Sequence, residues 1–150
     1  STHDGILCAS PSYVQLHGSP QRPEQLGAHQ CLLKRSAHIS PQTMQLWHAG
    51  RDMREPPDAE VEVMPLVTIN HPSSLLQMVL DGAGIAAFSA QIVQPFLAHG
   101  LLQQVLPGWI TGRFAVMAAL PSHRHIPERT KVFLDFVADF HRQHFEQAHC

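Results

Sequence analysis

The feature that most constrains the fold of this chain is the stretch from Asn70 to Ser89, which combines strand, helix and strand patterns. The β-branched run Leu66–Ile69 stops at Asn70, and Pro72 suits the first turn of a helix, where its missing N–H is not needed. Apolar residues then recur at helical spacing, at Leu75, Leu76, Val79 and Leu80. The Gly82–Gly84 segment ends that helix. The apolar run Ile85–Phe88 that follows predicts a short buried strand.

Two strands joined by one helix form a βαβ unit, so the two strands are predicted to be parallel neighbours. Ligands of open α/β sheets bind beyond the carboxyl ends of such strands. The segments Asn70–Ser74 and Ser89–Gln91 are expected at those ends. Free N–H groups at the helix start also favour an anion such as a carboxylate. Asn70, Ser73 and Ser74 are equally typical helix-capping residues, and capping alone explains their presence.

Composition excludes several classes of function. The chain has 150 residues, of which 44% are hydrophobic and 15% charged, and a formal net charge of −2. It contains no Lys/Arg run or basic helix face, so this segment is not expected to bind nucleic acid by itself. It also lacks a run of about 18 apolar residues, so no membrane span is predicted. We found no basic region followed by an apolar one near the N-terminus, as a signal peptide would have.

Cysteine usage favours a reducing compartment. Cys8, Cys31 and Cys150 form an odd, widely spaced set, which indicates free thiols rather than a disulfide framework. Cys8 and Cys31 each lie in an apolar run and are interpreted as small buried side chains. These observations predict a cytoplasmic location.

Along the chain, strand and helix patterns alternate, which predicts an α/β domain with a largely parallel sheet flanked by helices. Strands are predicted at Ile6–Ala9, Cys31–Lys34, Met44–Ala49, Val61–Val63, Leu66–Ile69, Ile85–Phe88, Leu101–Leu106 and Phe114–Leu120. Helices are predicted at Pro11–His17, Glu24–Ala28, Pro72 to the Gly82 stop, Ala90–Ala98 and Glu128–Gln147. The last helix carries an apolar stripe, interpreted as core packing, at Val132, Phe133, Phe136, Val137 and Phe140.

The order of motifs resembles the effector-binding domain of LysR-type transcriptional regulators, and specifically its second lobe. The matching segments are Leu7–Tyr13, Gly18–Pro20, Pro23–Leu26, His29–Leu32, Trp47, Asn70, Leu75, Gly82–Ala86, Gly100–Trp109, Leu120–Pro127 and Val132–Phe136. The resemblance covers nearly all of residues 6–140. No single motif is decisive, but their shared order and spacing are specific.

The resemblance implies a two-lobed domain like that of type II periplasmic binding proteins, with a small organic effector in the cleft between the lobes. Residues 1–111 would form the second lobe, and residues 112–150 would form a hinge strand and a C-terminal helix returning to the first lobe. The rest of the first lobe and a winged helix-turn-helix that contacts DNA would lie outside this sequence. The Phe stripe of the last helix would then be exposed unless another copy or a rearrangement covers it.

The resemblance also assigns candidate ligand contacts and partners. Cleft contacts of the family fall on Asn70, His71, Pro72, Ser73, Phe88 and Ser89, to which we add Ser74 of the same turn. The family commonly has Leu-Pro where this chain has Phe88-Ser89. Expected partners are a small-molecule effector, which in the family often carries a carboxylate, and further copies of the chain in a dimer or tetramer. We expect no cofactor and no membrane partner.

Three other functions are compatible with parts of the sequence. A transporter's solute-binding protein shares the fold, but unpaired cysteines and the lack of a signal peptide argue against it. An enzyme is not expected, because no Ser-x-x-Lys, Gly-x-Ser-x-Gly or His-Glu-x-x-His pattern is present and neither Cys8 nor Cys31 lies in an activating context. His141-x-x-His144 with His149-Cys150, and His123-x-His125, have donor types that zinc prefers, but we interpret them as a solvated helix tail and a surface loop.

Overall fold

The computed structural model describes residues 2–34, 42–115, 127–141 and 143. The chain divides into two compact units, one formed by His3–Phe114 and the other by Ser1–Thr2 with Ala115–Cys150. The larger unit contains the sheets and three α-helices, and the described part of the smaller unit is mainly one helix. The assignment of residues 1–111 and 112–150 to the two lobes of a larger domain stays a prediction.

The elements follow the sequence patterns closely. The strands are β1 Thr2–Ala9, β2 Cys31–Lys34, β3 Thr43–His48, β4 Ala59–Glu62, β5 Pro65–Ile69, β6 Ala86–Ser89, β7 Gln103–Val105, β8 Trp109–Ile110 and β9 Gly112–Ala115. The helices are α1 Pro11–His17, α2 Pro72–Leu80, α3 Ala90–Ala98 and α4 Glu128–His141, with a 3₁₀ helix at Pro23–Ala28. Residues 116–120 of the predicted strand Phe114–Leu120, and the predicted helix beyond His141 apart from Gln143, lie outside the described residues.

The predicted adjacency of the two strands flanking α2 is wrong. Strand β2 lies between β5 and β6, because it pairs in parallel with β5 along one edge and forms a parallel bridge from Cys31 to Ile85 along the other. The Leu32 N–H donates to the Ile85 carbonyl at 2.9 Å, and the Ile85 N–H donates to the Gln30 carbonyl at 2.8 Å. Helix α2 therefore connects two strands that run in the same direction but are separated by a third.

The α/β class is confirmed, but the parallel character of the sheet is confirmed only in part. Strand β1 pairs antiparallel with both β6 and β7, and β9 pairs with β1 as well. Strand β3 pairs antiparallel with β4 and β8. No helix lies between β3 and β4, and a connection without a crossover helix favours antiparallel pairing.

The main sheet consists of β6, β1, β7 and β9, extended by β2 and β5 through the bridge from Cys31 to Ile85. Two hydrophobic cores cover its two faces. Side chains of β1 alternate between them, because successive residues of a strand point to opposite faces. Ile6 and Cys8 belong to one core, and Leu7 and Ala9 to the other. Each of the four is at most 8% exposed, so both faces of the sheet exclude water.

The junction between β2 and β6 depends on Gly84. A Cβ atom placed on Gly84 would lie 2.3 Å from the Gln30 carbonyl oxygen and 2.8 Å from the Leu32 side chain. The first of these neighbours is backbone and cannot rotate away. Glycine is therefore required here by close approach rather than by turn geometry.

Helix α4 exposes the apolar stripe that the sequence predicts. Val132, Phe133 and Phe136 are each at least 62% exposed, and Val137 and Phe140 are 42% and 46% exposed. Core packing of this stripe is not realised among the described residues, and its interpretation as a packing surface stays a prediction. Among the described residues, no helix is both long and apolar enough to cross a membrane.

Replacement of Gly84 by alanine is expected to lower the free energy of unfolding by about 2–3 kcal/mol, within the range of severe single substitutions, because the β2–β6 junction must open. Gly112→Ala is the matched control, since Gly112 has the same φ of 159° but nothing within 4 Å of its added Cβ. Urea unfolding of both variants measures the difference. Equal losses in the two variants would contradict the role assigned to the close approach.

Candidate functional site

The candidate site lies at one edge of the main sheet, where two strands end and two helices begin. Strand β5 ends at Ile69 before α2, and β6 ends at Ser89 before α3. Both strands run in the direction of β2, so their carboxyl ends lie at the same edge. With β2 between them, the two helix starts are about 10 Å apart, which is two strand spacings. A small organic molecule can span that distance.

The start of α2 has no side-chain cap, contrary to one interpretation of its sequence. His71 occupies the N-cap position and no side chain of the described residues makes a capping hydrogen bond there. The first backbone bond of the helix is donated by the Leu75 N–H to the His71 carbonyl at 3.1 Å. The earlier N–H groups of Ser73 and Ser74 therefore point out of the helix start without an intrahelical acceptor. They offer donors and a positive helix end to an anion.

Helix α3 repeats this arrangement, and α1 does not. The N-cap of α3 is Ser89, which makes no capping bond within the described residues. In α1 the N-cap Ser10 accepts a hydrogen bond from the Tyr13 N–H at 3.2 Å. Helix α1 follows β1, which is antiparallel to β6, so α1 begins at the opposite edge of the sheet. Of the three α-helices in the larger unit, the two without a side-chain cap are thus the two that begin at the candidate site.

Burial divides the seven predicted ligand-binding residues into two groups. Asn70, His71, Pro72, Ser73 and Ser74 are exposed, and Ser89 is partly exposed. Phe88 is only 6% exposed and belongs to one of the two cores. It lies opposite Ile6 of β1 in the β1–β6 pair. The structure therefore brings six of the seven to an accessible edge, whereas Phe88 supports that edge from below.

An ion pair between Asp4 and Arg113 is a feature of this edge that the sequence analysis missed. Gly5 lies opposite Ser89 in the β1–β6 pair, so its neighbour Asp4 lies at the same edge. The Arg113 Nε atom donates to the Asp4 carboxylate at 3.0 Å, and both side chains are more than a third exposed. The two residues are 109 positions apart in sequence, so no local pattern signals their contact. The Asp4 carboxylate balances the guanidinium charge, so the pair adds polar groups but no net charge to this edge.

The two described cysteines are not activated nucleophiles. Burial raises the pKa of the Cys8 thiol to about 12 and that of the Cys31 thiol to about 11. Both therefore remain protonated at neutral pH, and a thiol is far less reactive than a thiolate. They also belong to different cores on opposite faces of the sheet, so they do not form a disulfide with one another.

Residues 2–34, 42–115 and the described part of α4 contain no cluster of metal-ligating side chains. No three His, Cys, Asp or Glu side chains come together there in a way that would hold a metal ion. The histidines considered in the sequence analysis, His123, His125, His144 and His149, lie outside the described residues, as does Cys150. The His141 side chain is not described either.

Comparison with known proteins identifies the family. Residues 3–142 match the model of the LysR substrate binding domain. An HTH-type transcriptional regulator of Xanthomonas campestris pv. campestris is 30% identical over 131 residues, which cover 86% of this chain and 37% of that protein. The HTH-type transcriptional activator TtdR of Escherichia coli K12 is 35% identical over 102 residues, which cover 68% of this chain and 31% of that protein. The chain thus spans about a third of the length of these curated relatives.

Solved structures agree with this assignment. The regulatory domain of CrgA, a LysR-type transcriptional regulator from Neisseria meningitidis, is 25% identical with a TM-score of 0.66 over 93% of this chain and 65% of that domain. The full-length virulence activator AphB of Vibrio cholerae shares the fold, with a TM-score of 0.71 at 23% identity over 94% of this chain and 46% of AphB. The match over residues 3–142 establishes that this chain belongs to the LysR substrate-binding domain family.

Proposed function

We propose that this chain is the ligand-sensing segment of a LysR-type transcription factor, and that it binds a small organic effector bearing a carboxylate at the edge formed by Asn70–Ser74 and Ser89. Family membership supports the sensing role. The observation that carries the choice of ligand is the pair of uncapped helix starts at this edge. Each such start stabilises an anion by about 0.3–1 kcal/mol, and by up to about 2 kcal/mol where water is partly excluded.

Side chains near the helix starts add specificity to this anion site. The hydroxyl groups of Ser73, Ser74 and Ser89 donate or accept hydrogen bonds, and the Asn70 amide does both. Arg113 keeps N–H groups beyond the Nε that Asp4 occupies, and these supply a bidentate partner for a second acidic group. Phe88 fixes the position of Ser89 through the core beneath it.

The mechanism that fits such a site is a population shift. In the two-lobed domain of this family, a ligand that contacts both lobes favours the closed arrangement over the open one. Altered domain geometry would then reach DNA through a winged helix-turn-helix that lies outside these 150 residues. A factor of this kind acts where DNA is, so we place the intact protein in the cytoplasm.

Regulatory function is better supported than the two alternatives. The family model and the curated relatives are those of transcriptional regulators, so the chain is not a transporter's solute-binding protein. The protonated state of Cys8 and Cys31 argues against the cysteine nucleophile that one enzymatic alternative requires. We therefore propose a binding module without catalytic activity.

We further propose that copies of the chain associate through the edge strand β5. Among the described residues β5 pairs only with β2, so its other edge offers unpaired backbone groups. Leu66 is 53% exposed on this strand and Met64, just before it, is 83% exposed. No charged residue lies within Pro65–Ile69 to oppose pairing with another strand. Antiparallel pairing of two β5 strands would give a symmetric dimer.

The carboxylate site is tested by Ser73→Glu, which places a carboxylate of the protein's own on the start of α2. The variant is expected to keep or raise its melting temperature, because an anion in the first turn stabilises a helix. Binding of a carboxylate ligand should weaken at least about tenfold, which corresponds to about 1.4 kcal/mol. Thermal melting against acetate, succinate and benzoate, each paired with its neutral amide, measures this by mass action.

The matched control for this test is Gln94→Glu, which adds the same charge to an exposed position in the middle of α3. It should leave the ligand-induced shift unchanged. The experiment is run on this chain and on a longer chain that supplies the remainder of the two-lobed domain. Stabilisation by the amides as much as by the acids, or retention of the shift in Ser73→Glu, would contradict the proposed site.

Association through β5 is tested by Leu66→Lys, which adds a charge to the exposed edge and is expected to move the sedimentation profile towards the monomer. Leu16→Lys is the control, since Leu16 is 81% exposed on α1 and lies outside the proposed interface. A dimer that persists in Leu66→Lys, or that is lost equally in Leu16→Lys, would exclude β5 as the contact.

A further inference from the structure

A polar cluster around the buried hydroxyl of Tyr13 lies at the sheet edge opposite the candidate site, where α1 meets the partly exposed chain just before β2. Tyr13 is only 1% exposed, yet its hydroxyl makes two hydrogen bonds. The Gln30 N–H donates to the Tyr13 Oη atom at 3.0 Å, and the same oxygen lies 3.0 Å from His29 Nδ1. The cluster thus joins a helix, a loop and a strand through one hydroxyl group.

Hydrogen counting fixes the protonation state of His29. The Tyr13 oxygen accepts from Gln30, so the hydroxyl proton still needs an acceptor in this buried place. Within the described residues, His29 Nδ1 is the acceptor at hydrogen-bonding distance. It serves this purpose only when Nδ1 carries no proton. The closed cluster therefore contains a neutral imidazole with its proton on Nε2.

The groups around His29 oppose its protonation. Burial, and then the nearby His17, lower the pKa of His29 below its ordinary value of 6.5. The His17 ring stacks on Tyr13 with centroids 4.5 Å apart and a 17° interplanar angle. From β2, Cys31 faces Tyr13, and burial keeps that thiol neutral. The preceding 3₁₀ helix contributes Glu24, which is exposed.

We propose that Tyr13, His29 and Gln30 form a proton-sensitive latch, in which protonation of His29 Nδ1 removes the acceptor of the Tyr13 O–H proton and so weakens the hold of Tyr13 on the Gln30 amide. The proton of the Tyr13 hydroxyl is then left without an acceptor in a buried site, which favours local opening. Gln30 also accepts the Ile85 N–H through its carbonyl at 2.8 Å. Opening of the latch therefore loosens the loop that anchors the junction between β2 and β6.

The sign of the pH effect follows from the direction of the pKa shift. Because the folded state holds the pKa of His29 below 6.5, the stabilisation by this residue is fully present above pH 6.5. It is lost progressively as the pH falls through 6.5 towards the folded value. The latch is thus closed at neutral pH and opens in mild acid.

Hydrogen exchange of the Gln30 amide in the 150-residue chain tests the proposal. Between about pH 7.5 and 5.5, and after correction for intrinsic exchange, we expect protection of this amide to fall severalfold, and by no more than about tenfold, the limit that an ordinary pKa of 6.5 in the open state sets at pH 5.5. The Val79 amide in the last turn of α2, where the side chain is fully buried, serves as an internal reference for global unfolding and should keep its protection. His29→Gln should abolish the pH dependence, and Tyr13→Phe should lower Gln30 protection at both values.

Two further variants sharpen the test. His99→Gln is the matched control, because His99 is exposed at the end of α3 and should leave the Gln30 profile unchanged. His17→Gln removes the repulsive neighbour and should move the loss of protection to higher pH. Protection of Gln30 that is flat with pH in the unmodified chain, or an identical fall in His29→Gln, would overturn the proposal.

Nitrogen chemical shifts of His29 give an independent reading that needs no substitution. At about pH 7.5 the Nδ1 shift should be that of an unprotonated acceptor, and it should move on acidification together with loss of Gln30 protection. A protonated Nδ1 at neutral pH would overturn the proposal, even if the substituted chains do not fold.

Discussion

The close contact between the Gln30 carbonyl and Gly84 is the constraint on which the arrangement of the larger unit depends. It allows Ile85 to form two backbone hydrogen bonds, one from its N–H to the Gln30 carbonyl and one from the Leu32 N–H to its own carbonyl. Those bonds join the β2–β5 pair to the strands around β1. Helix α2 follows β5, which pairs with β2, and helix α3 follows β6. The starts of both helices therefore depend on the contact that joins β2 to β6. The site is built on paired strands, which hold its donors more precisely than a free loop would.

Local sequence patterns predicted the starts and ends of α1 and α2. Ser10 followed by Pro11 predicts the start of α1, and the structure confirms both the boundary and the capping bond. Hydrophobic periodicity and the Gly82 stop predict α2 in the same way. These patterns succeed because a helix start is decided by residues within one turn of each other.

Such local patterns do not predict which strands become neighbours or which distant residues form contacts. A crossover helix fixes the direction of the next strand but not its neighbour, so the insertion of β2 between β5 and β6 was not predicted. Residue type was also misleading at the start of α2. Serines suited to capping are present there, but no side chain among the described residues makes the bond. The Asp4–Arg113 pair brings together the two ends of the larger unit, which only the pairing of β1 with β9 reveals.

The reversed direction of β1 separates two kinds of chemistry on one sheet. Helix α1 begins at one edge with a capped start and a satisfied, buried hydroxyl network around Tyr13. Helices α2 and α3 begin at the other edge with donors left open. A fold with all its strands parallel would have placed all three helix starts together. The mixed pairing instead keeps the proposed ligand edge distinct from the edge that carries the Tyr13–His29 cluster.

The placement of Cys8 and Cys31 on opposite faces of the main sheet gives each core its own chemical reporter. A thiol reagent reacts with a buried, protonated cysteine only after the surrounding core has opened. Modification of Cys8 therefore reports the opening of the core that contains α2 and α3, and modification of Cys31 reports the opening of the core that contains α1. With Cys150 replaced by serine, the two reaction rates would separate the breathing of one face of the sheet from that of the other.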